Sequence, residues 1–130
     1  MQLRFKQSAE NFQFVKFNSK PPENLATLEG AFSIMVAGDY SIMLPASKSQ
    51  SVMTTDAYEV SKINWHCLEL IGEFAFDTIG VAALVTGILA QSAISVLVMS
   101  GYKTDYFFVA DYDLAASIKA LSLAGHTVIS

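Results

Sequence analysis

The sequence predicts an α+β protein in which antiparallel sheets carry helices on one face. In residues 94–109, ISVLVMSGYKTDYFFV, two runs rich in β-branched and aromatic residues flank a polar segment with the Gly, Thr and Asp that tight turns favour. This pattern indicates a β-hairpin. Just before it, apolar residues recur at helical spacing over residues 81–89. Hydrophobic residues make up 52% of the 130 positions and charged residues 15%, so the chain can bury a sizeable core.

Composition also excludes several classes of protein. The length suits one domain, or two small units that share a core. The formal charge is −4 and the eight Lys and Arg are scattered, which argues against nucleic acid or an anionic membrane surface as a partner. The single cysteine, Cys67, rules out an intrachain disulfide and leaves no Cys cluster for a metal. The first twelve residues lack the apolar core of a signal peptide, so a cytoplasmic location is expected.

One segment, residues 78–102, contains no charged residue at all. Within it, residues 81–99 are long enough to span a bilayer. However, Gln91-Ser92-Ala93 interrupts the run, and the hydrophobic period changes there from about 3.6 to about 2. We therefore expect a buried helix followed by a buried strand, and a membrane span is the alternative.

The second half of the chain predicts the element order β-α-β-β-α-β, which is the ferredoxin-like order. In order, these are a strand at 65–71, a connection at 74–78, a helix with an apolar stripe from Val81 to Leu89, the hairpin, a helix opened by Asp111-Tyr112-Asp113, and a strand at 127–129. Asp77 or Thr78 is expected to cap the first helix, and Gly125 stands where a C-terminal cap glycine belongs. Both faces of the first hairpin strand are largely apolar, so neither is expected to face bulk water.

The first half of the chain predicts β-α-β-β-α, the same order without a final strand. The elements are a frayed end or short edge strand at 1–12, a strand at 12–17, a short helix from Pro22 to Gly30, strands at 32–37 and 40–44, a polar loop at 47–55, and a helix at 56–63. This likeness indicates an internal duplication, with a degenerate unit at 1–63 and a complete unit at 64–130. The apolar second face of each sheet would then be covered by the other unit or by a second chain.

The second half resembles the ACT domain, the small-molecule-binding regulatory module of amino-acid metabolism. The resemblance rests on Gly80 near the start of the helix, on Ile88-Leu89-Ala90, and on Ile94-Ser95-Val96. The run from Ser100 to Tyr106, SGYKTDY, also resembles a motif of small bacterial proteins with two ACT-like units and of the CASTOR arginine sensors. Other positions that match are Trp65, Gly72, Gly125 and His126. Gly101 departs from the motif, which usually has Thr at this position.

The resemblance implies a ligand site for a small zwitterion. In aspartate kinases, ligands lie between the first loop of one ACT unit and the strand after its helix, often across an interface. By motif position, the implied ligand-binding residues are Phe76, Asp77, Ile79, Gly80 and Val81 in the loop and Ser95, Val96, Ser100 and Gly101 on the strand. A helix N-terminus offers unpaired N–H groups to a carboxylate, and glycine permits close approach.

Several of these side chains have a structural interpretation beside the functional one. Thr104 and Asp105 either contact a ligand or partner, or fix the turn by side-chain-to-backbone bonds. Tyr102 and Tyr106 are expected to be structural residues of the same motif. Ser95 and Ser100 either bind ligand or satisfy local backbone, and Asp77 is either a ligand group or a helix cap. His126 is expected to stabilise a helix end.

The sequence shows no combination of residues whose spacing suggests a catalytic site. His66 and Cys67 are adjacent on a predicted strand and so point to opposite faces, where they cannot form one metal or nucleophile site. The twelve carboxylates show no spacing that suggests acid–base chemistry, and there is no Gly-rich phosphate loop. We therefore expect no enzyme, no cofactor and no metal.

The leading hypothesis is a small sensor or regulatory protein of tandem ACT-like units. It would bind an amino acid at a unit–unit or subunit interface and form a homodimer. The alternative is a protein-interaction adaptor with the same fold and a vestigial ligand site.

Overall fold

The computed structural model describes residues 2–52, 58–72 and 80–130, and the side chains of all of these except 50–52 and 58. Its elements are β1 (Arg4–Gln7), β2 (Phe12–Phe17), α1 (Glu23–Ala26), β3 (Phe32–Val36), β4 (Asp39–Pro45), α2 (Ala46–Val52), β5 (Tyr58–Leu70), α3 (Val81–Gln91), β6 (Val96–Ser100), β7 (Asp105–Ala110), α4 (Leu114–Leu123) and β8 (Thr127–Ile129). The chain forms two compact units. We call Glu10–Trp65 unit A, and Met1–Ala9 together with His66–Ser130 unit B.

Unit A is an antiparallel sheet with two helices. Its strands lie in the order β5-β2-β4-β3, with Phe17 opposite Tyr40 on β4 and opposite Tyr58 on β5. Alternate residues of β2 and β4 point to one face, where they pack with Leu25 of α1. The members of this core are Val15, Phe17, Leu25, Ile42 and Leu44.

Two predictions in unit A are wrong. The helix expected at 56–63 is a strand from Tyr58 onward, and residues 56 and 57 lie outside the described residues. Pairing with β2, in which Val60 lies opposite Val15, stabilises the extended backbone of a segment that has no strong local signal. Unit A therefore has a final strand, contrary to the prediction, and its order is β-α-β-β-α-β.

The second wrong prediction is the polar loop at 47–55, because α2 begins at Ala46. The Ala46 N–H donates to the Asn11 carbonyl at 2.8 Å, and the Ser47 N–H donates to the Glu10 carboxylate at 2.8 Å. The Ser47 N–H, and secondarily the Ser47 hydroxyl, which donates to the same carboxylate at 3.0 Å, hold the pKa of Glu10 below its usual range. The groups that satisfy the start of this helix thus come from residues distant in sequence, where no local pattern can reveal them.

Unit B confirms the predicted α+β fold. Its strands lie in the order β8-β1-β5-β7-β6, and the hairpin of β6 and β7 pairs Ser100 with Asp105. Both helices contribute to a core on one face of the sheet. The fully or nearly buried members are Leu3, Phe5, Leu68, Leu70, Val81, Val85, Leu89, Ile94, Phe107, Val109 and Leu121.

The sequence suggested a frayed end or a short edge strand at the N-terminus, but strand β1 is ordered inside a sheet. It lies between β5 and β8, antiparallel to the first and parallel to the second. Phe5 is fully buried against the Phe107 ring, while Arg4 and Lys6 are exposed. One large apolar residue among four gives too weak a pattern to predict an interior strand.

The uncharged segment forms a helix and then a strand, as expected, rather than one continuous helix. Helix α3 ends at Gln91 and β6 begins at Val96. Within the described residues, the helices are all too short or too polar to cross a membrane. On β6, the first strand of the hairpin, Val98 is 40% exposed in the single chain, so the expected cover of both faces of this strand by a second chain stays a prediction. Among the described residues, β6 pairs with β7 alone and is therefore an edge strand.

Candidate functional site

The start of helix α3 is the first part of the predicted site. Gly80 occupies the N-cap position with φ +85°, in the left-handed region, and no side chain among the described residues caps the helix there. A Cβ at this position would have no neighbour within 4 Å in the part of the chain that the structure describes, so the backbone conformation favours glycine. Helix geometry leaves the first N–H groups after Gly80 without intrahelical acceptors. Val81 contributes its side chain to the core instead.

Three predicted ligand residues, Phe76, Asp77 and Ile79, lie outside the described residues, as does the alternative helix cap Thr78. Their contribution to the site therefore stays a prediction.

The strand residues of the predicted site fall at two ends of β6. Ser95 is exposed just before the strand, and Val96 packs against the core at its start. Ser100 and Gly101 are exposed where the strand enters the hairpin turn. Four residues of extended chain separate Val96 from Ser100 by about 13 Å.

The turn end of the hairpin lies beside the end of β5. The Thr104 hydroxyl donates to the Leu70 carbonyl at 2.7 Å, and both groups belong to unit B. Ser100 and Gly101 are therefore near the end of β5 from which the chain continues to α3. Ser95 lies instead near the C-terminus of α3, where the Ile94 N–H bonds the Leu89 carbonyl. The helix between Gly80 and Ser95 is about 16 Å long, because its eleven residues rise about 1.5 Å each.

The SGYKTDY run forms a firmly anchored turn. Thr104 is buried, and the Gly101 N–H donates to its carbonyl at 2.9 Å. The Thr104 hydroxyl makes a side-chain-to-backbone bond, and its acceptor is a carbonyl 34 positions away rather than a group of the turn itself. Tyr102 is 87% exposed, whereas burial raises the pKa of the Tyr106 phenol, with smaller effects from Glu69 and Cys67.

The surroundings of Cys67 and His66 indicate structural rather than catalytic roles. Burial, and secondarily Glu69, raises the pKa of the Cys67 thiol to about 12, so the reactive thiolate is disfavoured at neutral pH. His66 Nε2 lies 3.0 Å from Asp111 Oδ1, while its Nδ1 is buried without a hydrogen-bond partner among the described residues. The sequence analysis missed this His–Asp pair, because 45 positions separate residues with no shared motif. Within the described residues, no group of three or more His, Cys, Asp or Glu could hold a metal ion.

His126 links the segment after α4 to the N-terminal strand. It is buried, and its Nδ1 accepts a hydrogen bond from the Leu3 N–H at 2.9 Å. Its own N–H donates to the Leu121 carbonyl in the last turn of α4 at 3.0 Å. The ring therefore joins β1 to this segment as a hydrogen-bond acceptor.

Comparisons with solved structures identify the fold over nearly the whole chain. A protein from Agobacterium tumefaciens superimposes with a TM-score of 0.81 at 20% identity, over 99% of this chain and 93% of that one. A Vibrio cholerae protein of unknown function, described as a possible transport protein, gives 0.75 at 22% identity, over 95% and 91%. The ligand-free regulatory subunit of aspartate kinase from Thermus thermophilus gives 0.64 at 9% identity, over 91% and 94%.

Comparison of sequences matches a shorter part of the chain than comparison of structures. No curated protein sequence matches the chain. The model of the ACT domain matches residues 60–122, which run from within β5 almost to the end of α4. This match confirms the resemblance to the ACT domain that Gly80 and the residues after it carried.

Proposed function

We propose that this protein is a non-catalytic regulatory protein that binds a small metabolite, with free amino acids as the first class to test. The ACT-domain match supports a regulatory role, and so does the structural likeness to the regulatory subunit of an aspartate kinase. The observation that carries the proposal is Gly80, which opens the start of α3 with a left-handed backbone and no side-chain cap. That arrangement suits a carboxylate, because free N–H groups and the positive end of the helix dipole coincide there.

We further propose that the ligand lies at an interface between two copies of the chain. Within one copy, Gly80 and Ser95 are at opposite ends of a helix about 16 Å long, which is more than one amino acid can span. A site that uses both residues therefore needs a second copy to bring another Ser95 close to Gly80. A homodimer in the cytoplasm, with tandem ACT-like units in each chain, fits this arrangement.

Titration calorimetry with the twenty L-amino acids tests the proposal. We expect saturable binding of at least one amino acid at α3 by the intact protein, and loss of this binding event in Gly80→Ala, whose Cβ would stand above the helix start, where no described atom lies within 4 Å. Sedimentation with and without the bound amino acid reports whether two copies assemble around it.

Gly38→Ala is the matched control. Gly38 in unit A also has a left-handed φ, +90°, and also has open space around its Cβ position. Both substitutions should lower the free energy of unfolding by about 1 kcal/mol through backbone strain, but only the one at Gly80 should abolish binding at α3. If the folded wild-type protein binds none of the twenty amino acids, the proposal is contradicted, and the alternative, an interaction adaptor with a vestigial site, is favoured.

A further inference from the structure

Unit A contains a surface groove that the site at α3 does not use. Its volume is about 220 Å³, and it lies over the middle of the sheet. The lining residues are Phe14, Val15 and Lys16 of β2, Ser41 of β4, and Glu59, Val60 and Ser61 of β5.

An irregularity in strand pairing accompanies this groove. Gln13 lies opposite Asn64, but Val15 lies opposite Val60, so β5 has two more residues than β2 over this interval. The Ser61 hydroxyl accepts a hydrogen bond from the Ile63 N–H at 3.2 Å, which stabilises the extra residues. Such a bulge disrupts the ladder locally and bends the strand, so that a depression can form in an otherwise continuous sheet.

The groove lies on the face of the sheet away from α1. Val15 and Phe17 belong to the core that packs against that helix. Because side chains alternate along a strand, Phe14 and Lys16 point to the other face. The groove is therefore open to ligand without displacement of core residues.

Two opposite charges stand across the groove. Lys16 lies directly opposite Glu59 on β5, and on its other side it lies opposite Ser41 on β4. Both charged side chains are exposed, and although both are among the described residues no ion pair within 4 Å joins them. An ammonium and a carboxylate are thus available to a bound molecule, and the Phe14 ring offers an apolar surface beside them. The Ser41 hydroxyl already donates to the Asp39 carboxylate, and the Ser61 hydroxyl donates to the Ile63 carbonyl at 3.3 Å, so each serine can only accept a hydrogen bond from a ligand.

We propose that this groove binds a small zwitterion, such as a free amino acid, independently of the site at α3. The Lys16 ammonium would bind the α-carboxylate of the ligand and the Glu59 carboxylate its α-ammonium, with Ser41 and Ser61 as further hydrogen-bond partners. A volume of this size holds about seven waters at roughly 30 Å³ each, which corresponds to a molecule of about seven to ten non-hydrogen atoms.

The test uses the intact protein, the panel of L-amino acids, and amide chemical shifts as the readout. We expect one or more amino acids to shift the amides of Phe14, Ser41 and Ser61. Lys16→Gln and Glu59→Gln should each weaken that binding about tenfold, because each removes one charge-assisted contact. The N-acetyl and methyl-ester forms of the same amino acid, which each lack one charge, should lose binding to a similar extent.

Two exposed charged residues outside the groove serve as controls. Lys62→Gln removes a positive charge from the same strand as Glu59, and Glu29→Gln removes a negative charge elsewhere in unit A; each should change affinity less than twofold. Because Gly80 is in unit B, Gly80→Ala should leave these shifts intact, which separates this groove from the site at α3. The inference is overturned if no amino acid moves the groove amides at millimolar concentration, or if both groove variants bind as tightly as the wild type.

Discussion

Two residues of unit B end helices in the left-handed region of backbone conformation. Ala93 follows α3 with φ +58°, and Gly125 follows α4 with φ +92°. The two helices end in the same type of hydrogen-bonded cap, in which the N–H of the residue after the left-handed one donates to a carbonyl of the last helical turn. The Ile94 N–H donates to the Leu89 carbonyl, and the His126 N–H donates to the Leu121 carbonyl, each at 3.0 Å. The caps differ in one respect, which is that alanine bears a Cβ that this conformation disfavours.

This difference gives a prediction for a pair of substitutions. Ala93→Gly should raise the free energy of unfolding by about 0.5–1 kcal/mol, because relief of strain exceeds the added entropy of the unfolded chain. Gly125→Ala should lower it by about 1 kcal/mol, since a Cβ there meets no atom within 4 Å and only the backbone conformation opposes it. Urea unfolding measures both, and Ala83→Gly inside α3 is the control, expected to destabilise by about 1 kcal/mol. Destabilisation by Ala93→Gly would contradict the prediction.

Cys67 gives a prediction about alkaline pH. Its thiol has a pKa of about 12 when folded, against an ordinary value of 9.0, so the folded state holds the proton more tightly. Stability from this difference is fully present below pH 9 and is lost as pH rises from 9 towards 12, by at most about 1.4 kcal/mol per pH unit. Urea unfolding of wild type and Cys67→Ala across this range isolates the effect, since the other titrating groups are common to both. Parallel stability curves would show that the thiol is not buried in this way.

At the scale of elements, the Thr104 hydroxyl adds a side-chain hydrogen bond between the turn of the β6–β7 hairpin and the end of β5. Thr104→Val keeps the shape of the side chain but removes the donor to the Leu70 carbonyl. We expect a loss of about 1–2 kcal/mol in the free energy of unfolding, because a buried carbonyl loses its partner. Thr104→Ser retains the hydroxyl and should lose less. Equal losses in the Val and Ser variants would assign the effect to packing instead.

Gly101, the departure from the family motif, is a useful comparison within the same turn. Its φ is outside the left-handed region, and a Cβ would lie 3.4 Å from the Tyr106 ring and 3.5 Å from the Thr104 carbonyl oxygen. These are ordinary contacts, so Gly101→Ala should change stability by no more than about 0.5 kcal/mol in the same urea measurement. The turn therefore depends on Thr104, and the glycine is permitted rather than required.

At the scale of the whole molecule, strand β5 explains why the two halves of the sequence look unequal. Tyr58 to Trp65 complete the sheet of unit A, and Leu68 to Leu70 pair with β1 in unit B. Unit A thus has the order β-α-β-β-α-β, and unit B has the same order from β5 to β8 with β1 as an additional strand in its sheet. We propose that the chain arose by duplication, with the last strand of the first copy fused directly to the first strand of the second.

Only part of the candidate site could be predicted from the sequence. The hairpin was predicted because a polar turn between β-branched runs is a local signal, whereas Gly80 was singled out by the resemblance to the ACT domain. The His66–Asp111 pair, the Thr104–Leu70 bond and the groove at Lys16 and Glu59 were not found. Each joins residues that are far apart in sequence, and no residue type in them is unusual on its own.

The amino-acid sequence by itself determined the α+β class, the helix Val81–Gln91, the hairpin that follows and the cap at Gly125. Hydrophobic periodicity and glycine conformation act over a few residues and can be recognised without a fold. Only the tertiary structure decided that β1 lies inside a sheet, that residues 58–63 are a strand and that α2 exists. In each case the backbone hydrogen bonds are completed by groups from distant parts of the chain, and those partners are known only once the fold is known.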